Sequence, residues 1–409
     1  RDCRSASRQA PGLAGRPDQR EDPRTVSLLS RLHLPRPLSL PVLAALVGLA
    51  ACAPQASGPN IGSRQPLQEP PRSRIALLLP LSGPQGPLGT AMEQAAELAL
   101  FERGNRTVDF MPMDTGGTTS GAAEAARRAS VAGVRVIVGP LTASETSAAS
   151  GPARAARIPI IAFTNDAAQA GPGVWTLGVT PAQQVRRVMG AAHSAGAVRF
   201  ALAAPDGAFG RALAAAMRAE ATTWGLQDPV IVLHGARASP SSVAQDLATR
   251  APGGLDAVML GSTGAAARAL AAALAPAGLA NPPPRILGHA LWAQDDTLGQ
   301  EPALQGALFA APDPRARATF DARYEGAFGE RPPRLAGVAY DAAGVAARVV
   351  LTPRGQAGPN TGEVFDGVDG PIRLQPNGIV QRGLALFSVE AMGEPRMVEA
   401  APQPGGAGS

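Results

Sequence analysis

Between Arg74 and Ala311 the sequence alternates short apolar runs, most closed by Gly or Pro, with Ala-rich stretches whose apolar residues recur at helical spacing. This alternation constrains the fold more than any other feature. A short apolar run set between helices is the pattern of a strand buried on both faces of a parallel sheet. The first series predicts strands at 75–80, 108–113, 134–139, 158–163 and 174–177, with helices over 88–103, 118–132 and 143–156. The second begins at Pro181, where helices 181–196, 210–225, 241–250 and 264–275 alternate with strands 198–204, 230–234, 256–261 and 285–291. Strand 306–311 and helices 315–328 and 335–350 follow, and Pro376-Asn377-Gly378 predicts the turn of a hairpin within 370–390. Two series predict an α/β fold with two doubly wound parallel sheets.

In open parallel sheets ligands sit at the carboxyl ends of the strands. The polar segments expected there are 81–84 with Ser82, 139–146 with Thr142 and Ser144, and Thr164-Asn165-Asp166 in the first series. In the second series they are 206–210 with Asp206, and His289 to Trp292. Helices expected to begin near Leu88, Ser144 and Gly210 would offer unpaired N–H groups to a carboxylate.

Residues 40–51 form an apolar run of about twelve residues after Arg31 and Arg36, too short for the roughly 20 that span a bilayer. Leu49-Ala50-Ala51-Cys52 resembles a bacterial lipobox, which implies that Cys52 is the lipidated first residue of the mature chain. Residues 52–72, rich in Pro, Gly, Ser and Gln, then read as a flexible tether. Residues 1–30 fit neither signal nor domain, and the first Met is Met92, so a fragment or misplaced start is expected there and Cys3 is expected to play no part.

The basic balance is local. Residues 1–51 hold eight arginines against four acids, while the remainder is near neutrality and shows no Arg run interleaved with aromatics. A nucleic-acid partner is not expected. The chain contains no lysine, which excludes a phosphate-binding loop of the Gly-Lys type. His193, His234 and His289 are widely spaced and no second Cys stands near Cys52, so no metal site or cofactor is expected. Gly261-Ser262-Thr263-Gly264 is not a nucleophile elbow, and no catalytic residues are expected.

Residues 72 to 392 resemble the type I periplasmic-binding family in its leucine-binding-like branch. The resemblance rests on the segment Arg74 to Pro84, the Gly139-Pro140 turn, Pro159 to Asp166, Phe209-Gly210-Arg211 and Tyr340-Asp341-Ala342, in that order. It implies two lobes joined by three crossings, near 178–181, 305–312 and 352–366. Lobe 1 is then expected over 74–178 and 306–352, lobe 2 over 181–305 and 366–392, and 393–409 as a disordered tail. In amino-acid receptors of this family, hydroxyls after the third and fourth strands hold the ligand carboxylate. That implies Thr142 or Ser144, and Thr164, with Ser82 and Asn165 beside them. An ammonium acceptor from the other lobe would be Asp206 or Asp295, each equally placed as a turn or capping residue, and Tyr340 is a further candidate that also fits core packing. Leu79 to Gly83, Phe163 to Asp166 and Leu177 to Gln184 resemble most the penicillin-binding protein activators, periplasmic lipoproteins that stimulate a peptidoglycan synthase. The alternative partner is an ABC permease, served by a receptor for an amino-acid-like ligand.

Overall fold

Every residue of strand β1 (Ser73–Leu79) from Ile75 onward is fully buried, and alternate side chains serve opposite cores. Ile75, Leu77 and Leu79 join one apolar cluster, while Ala76 and Leu78 join another. The chain is seen in a computed structural model that describes residues 72–103, 108–351, 359 and 361–404. Cys52, the apolar run before it and nearly all of the expected tether lie outside the described residues.

The first lobe continues with α1 (Gly86–Arg103), β2 (Val108–Asp114), α2 (Thr119–Val131), β3 (Val136–Val138), α3 (Ala143–Ala155), β4 (Ile160–Ala162) and β5 (Val174–Thr176). Its five strands run parallel in the order β2-β1-β3-β4-β5. Helices α2 and α3 cover the face that carries Ala76 and Leu78. The other face receives α1 and two helices from late in the chain, α8 (Pro314–Phe328) and α9 (Ala336–Leu351).

The second lobe alternates α4 (Pro181–Ser194), β6 (Phe200–Pro205), α5 (Ala208–Thr223), β7 (Val230–His234), α6 (Pro240–Arg250), β8 (Ala257–Leu260), α7 (Gly264–Leu274) and β9 (Arg285–Gly288). Strand β10 (Leu308–Ala311) pairs parallel with β9. After β11 (Val364–Phe365), β12 (Ile372–Leu374) and β13 (Val380–Arg382), the strands β14 (Ala385–Ser388) and β15 (Arg396–Glu399) close the second sheet, giving the order β15-β14-β10-β9-β8-β6-β7. Helices α4 and α5 pack on one face and α6 and α7 on the other.

Three placements differ from the sequence expectation. Strand β10 belongs to the second sheet, not to the first lobe with 306–352, because Phe309 stacks on Phe387 at 5.3 Å across the antiparallel pair with β14. The hairpin β12–β13 packs on the first lobe, since Ile372, Leu374 and Val380 enter the core beside α9. The crossings therefore fall at 177–180, 312–313 and 383–384, the last well beyond 352–366. Finally, the tail contains β15, which pairs with β14. Three of its four residues, with Met397 the exception, are exposed, so it lacks the apolar signature of the other strands.

Candidate functional site

The carboxyl ends of β1, β3 and β4 bring the first-lobe candidates to one edge, as the strand order requires. The β3 and β4 loops are tied directly: the Gly139 N–H donates to the Ile161 carbonyl at 2.8 Å and the Phe163 N–H to the Pro140 carbonyl at 3.0 Å. Ser82 is exposed beside Asp114, whose Oδ1 accepts from the N–H groups of Leu81, Ser82 and Gly116. The Ser82 hydroxyl bond is the largest of the effects that hold the Asp114 carboxyl below its ordinary pKa.

Thr142, not Ser144, caps α3. Its hydroxyl accepts from the Glu145 N–H at 3.2 Å and donates to Glu145 Oε2 at 2.7 Å, while the same carboxylate accepts from the Thr142 N–H at 3.0 Å. The other oxygen of Glu145 accepts from the buried Thr115 hydroxyl at 2.6 Å. Glu145 is 0% exposed. A helix N-terminus attracts an anion through its free N–H groups and its dipole, and here the Glu145 carboxylate lies at that end of α3, bonded to the N–H and hydroxyl of the capping residue Thr142. The sequence does carry the signal, because Thr142-Ala143-Ser144-Glu145 has the spacing of a capping box. Ser144 is exposed in the first turn, 3.2 Å from the Thr142 hydroxyl.

Thr164 is buried, and its hydroxyl accepts from the Asp166 N–H at 3.1 Å. Asn165 is exposed beside it. The first crossing presses on this loop: the Gly178 N–H donates to the Thr164 carbonyl at 3.1 Å, and a Cβ at Gly178 would lie 2.7 Å from that oxygen. Only glycine allows so close an approach.

The second-lobe candidates are also engaged. Asp206 pairs with Arg211 at 2.6 Å, both exposed. Asp295 accepts from the Gly264 N–H at the start of α7 and from the Thr297 N–H and hydroxyl, so both of its oxygens hold local structure. Tyr340 lies in the first-lobe core, 5.0 Å from Phe320, and its hydroxyl donates to Glu102. The structure thus gathers Ser82, Thr142, Ser144, Thr164 and Asn165 at one edge, sets Asp206 and Asp295 on the other sheet, and places Tyr340 among the helices behind the first sheet.

Residue types alone could not show what surrounds His289. It directly follows β9 and is 1% exposed. Burial lowers its pKa to about 4, although contacts with the Ser262 and Gly261 backbone oppose the shift. The adjoining loop is fixed by Gln184 of α4, whose Oε1 accepts from the Ala290 N–H at 2.8 Å. A separate groove of 350 Å³ between α6 and α7 is lined by small side chains such as Ser241, Ala269, Ala272 and Ala273, with no charged group. Among the described residues no three His, Cys, Asp or Glu side chains could hold a metal, and no helix is long and apolar enough to cross a membrane.

The same architecture recurs in known proteins. A putative branched-chain amino acid ABC transporter protein from Rhodospirillum rubrum superimposes with a TM-score of 0.66 at 22% identity, over 80% of this chain and 100% of that one. The C-domain of LpoA from Haemophilus influenzae, described as a regulator of PBP1A, gives 0.63 at 19% identity over 79% of this chain and all of that domain. Full-length LpoA from the same organism gives 0.63 at 19% identity, over 81% of this chain but only 59% of that one. At these identities the likeness concerns the fold alone. A search of curated proteins finds no sequence that matches. The family model described as periplasmic binding protein matches residues 73–393, which takes in the first sheet, all of the second but β15, and all three crossings, and the chain belongs to that family, with its type I fold.

Proposed function

We propose that this chain is a non-enzymatic periplasmic lipoprotein, anchored through Cys52, that regulates peptidoglycan synthesis by binding a penicillin-binding synthase. Glu145 carries the reading. In an amino-acid receptor the ligand carboxylate would take the α3 N-terminus and the nearby hydroxyl, whereas here the fully buried Glu145 carboxylate takes the Thr142 hydroxyl and N–H. The candidate ammonium acceptors Asp206 and Asp295 are likewise engaged within their own lobe. A protein with its amino-acid contacts spent internally is suited to offer a lobe surface to a partner. The regulator role printed for the LpoA C-domain agrees with this.

The test uses the full chain with a purified penicillin-binding synthase of its own bacterium. Stimulated glycan polymerisation or cross-linking, with no heat of binding from an amino-acid panel, is the expected outcome. In cells, Cys52→Ser should move the protein from the membrane to the soluble periplasmic fraction. An unstimulated synthase together with tight binding of an amino acid would transfer the chain to the second reading, the receptor of an ABC transporter. That reading is favoured by one observation: the transporter protein is matched over its whole length, full-length LpoA over 59%.

A further inference from the structure

The last described residues of the chain run back onto the third crossing. Beyond β15 the segment Ala400-Ala401-Pro402-Gln403-Pro404 has no apolar period, and its two prolines have no N–H with which to extend a ladder. A chain end of this kind frays unless something ties it down. Here three contacts do. Arg187 of α4, whose side chain is 9% exposed, donates to Glu399 Oε2 at 2.7 Å and to the Ala400 carbonyl at 3.5 Å. Ala401 packs against the second-lobe core, and Pro404 is buried.

Between these ties the Pro402 carbonyl presses on Gly383, where β13 of the first lobe hands over to β14 of the second. A Cβ at Gly383 would lie 2.0 Å from the Pro402 oxygen, and the three atoms nearest to it all belong to Pro402. The φ of Gly383 lies outside the left-handed region, so its own backbone does not demand glycine. The close approach of the tail does. On the first-lobe side the Gly383 N–H donates to the carbonyl of Pro371, the residue before β12, at 3.3 Å. Arg187 also donates through Nε to the Leu384 carbonyl at 2.9 Å, so one guanidinium holds both the residue after Gly383 and the start of the tail.

We propose that residues 400–404 form a latch that lies on the third crossing and limits how far the two lobes rotate about it. A hinge works by changing φ and ψ at a few residues between two rigid bodies. Gly383 has the fewest steric limits of the residues at this crossing, and the tail restricts it from outside by occupying the space beside its Cα. The tail continues from β15 and so moves with the second lobe, whereas Pro371 belongs to the first. Gly383 is held from both sides while the latch is seated, and from one side when it lifts. The latch needs neither a ligand nor a synthase, so it stands or falls independently of the function proposed above.

Three proteins beside the unaltered one test the proposal: a chain ended at Ala400, Gly383→Ala in the full chain, and the two changes combined. Hydrogen exchange read by mass spectrometry reports on the crossing, and small-angle scattering on the lobes. Ending the chain at Ala400 should speed exchange at Gly383 about tenfold and broaden the spread of lobe arrangements, with the circular dichroism spectrum retained. Gly383→Ala in the full chain should do the same, since its methyl group displaces Pro402. In the shortened chain Gly383→Ala should add nothing, because the atoms it would meet are gone. Exchange and scattering that match the unaltered protein in either single variant overturn the proposal. So does a Gly383→Ala effect of equal size in the full and shortened chains. If the shortened chain does not fold, Gly383→Ala in the full chain decides. If neither folds, the tail is part of the second-lobe core rather than a latch, and the proposal falls.

Discussion

His289 couples folding to pH through its burial. Its native pKa is about 4, while an unfolded chain would show about 6.5. Between these values the unfolded state takes up a proton that the native state refuses, so stability falls as pH drops from about 6.5 to about 4 and then levels off. The total loss is on the order of 3 kcal/mol. Asp256, held near 2 chiefly by its bond from Arg199, acts in a lower window, since its contribution is lost only as the carboxyl protonates below about 4. Denaturant unfolding at a series of pH values should show the steeper upper limb in the unaltered protein and not in His289→Gln. Equal slopes in the two proteins between pH 6.5 and 4 would remove His289 from this role.

At the scale of elements, the hairpin β12–β13 is fastened to the open edge of the first sheet by its turn. The Thr176 N–H donates to the Gly378 carbonyl at 3.4 Å, and Trp175 Nε1 donates to the Gln375 carbonyl at 2.7 Å. Gly378 has φ +83°, and a Cβ there would lie 2.1 Å from the Val174 carbonyl oxygen. Gly378→Ala should therefore destabilise the protein by on the order of 3 kcal/mol and redden the Trp175 emission as the indole loses its partner. Unchanged unfolding and emission would show that the turn does not clamp β5. The turn residues Pro376-Asn377-Gly378 announced this hairpin, and apolar runs closed by Gly or Pro announced the parallel strands, because those signals are local. What the hairpin packs on is not local, and neither is the membership of β10 nor the pairing of exposed β15. The candidate site divides in the same way. Strand ends place Thr142 and Thr164 on one edge from sequence alone, and the capping box could be read from its spacing. The pairing of His289 with Ser262 depends on β8 and β9 lying side by side, which no motif encodes.

For the whole molecule, the decisive contacts lie where the chain passes between lobes. Arg382 ends β13 next to the third crossing and is 2% exposed. Its guanidinium donates to the Leu177 carbonyl of the first crossing at 3.1 Å and faces Asp341 of α9 at 3.7 Å, both side chains 1% exposed. Asp341 also accepts from the Val368 N–H, so one carboxylate connects α9 with the segment leading into β12. From the second lobe, Gln183 and Arg187 of α4 donate to the Val380 and Leu384 carbonyls, which ties the first and third crossings into one strap. Removing one member of a buried pair strands the other charge, at a cost of about 3–5 kcal/mol, whereas replacing both by apolar groups is often nearly neutral. Arg382→Met alone should thus lower unfolding stability strongly, and adding Asp341→Leu should restore part of the loss. Small-angle scattering should show a changed or broadened spread of lobe arrangements for Arg382→Met, because the Leu177 carbonyl loses its donor where the lobes join. If the double variant is no more stable than the single one, the charge pair is not the source of the loss. If scattering stays identical while stability falls, Arg382 supports the first-lobe core without governing how the lobes are set.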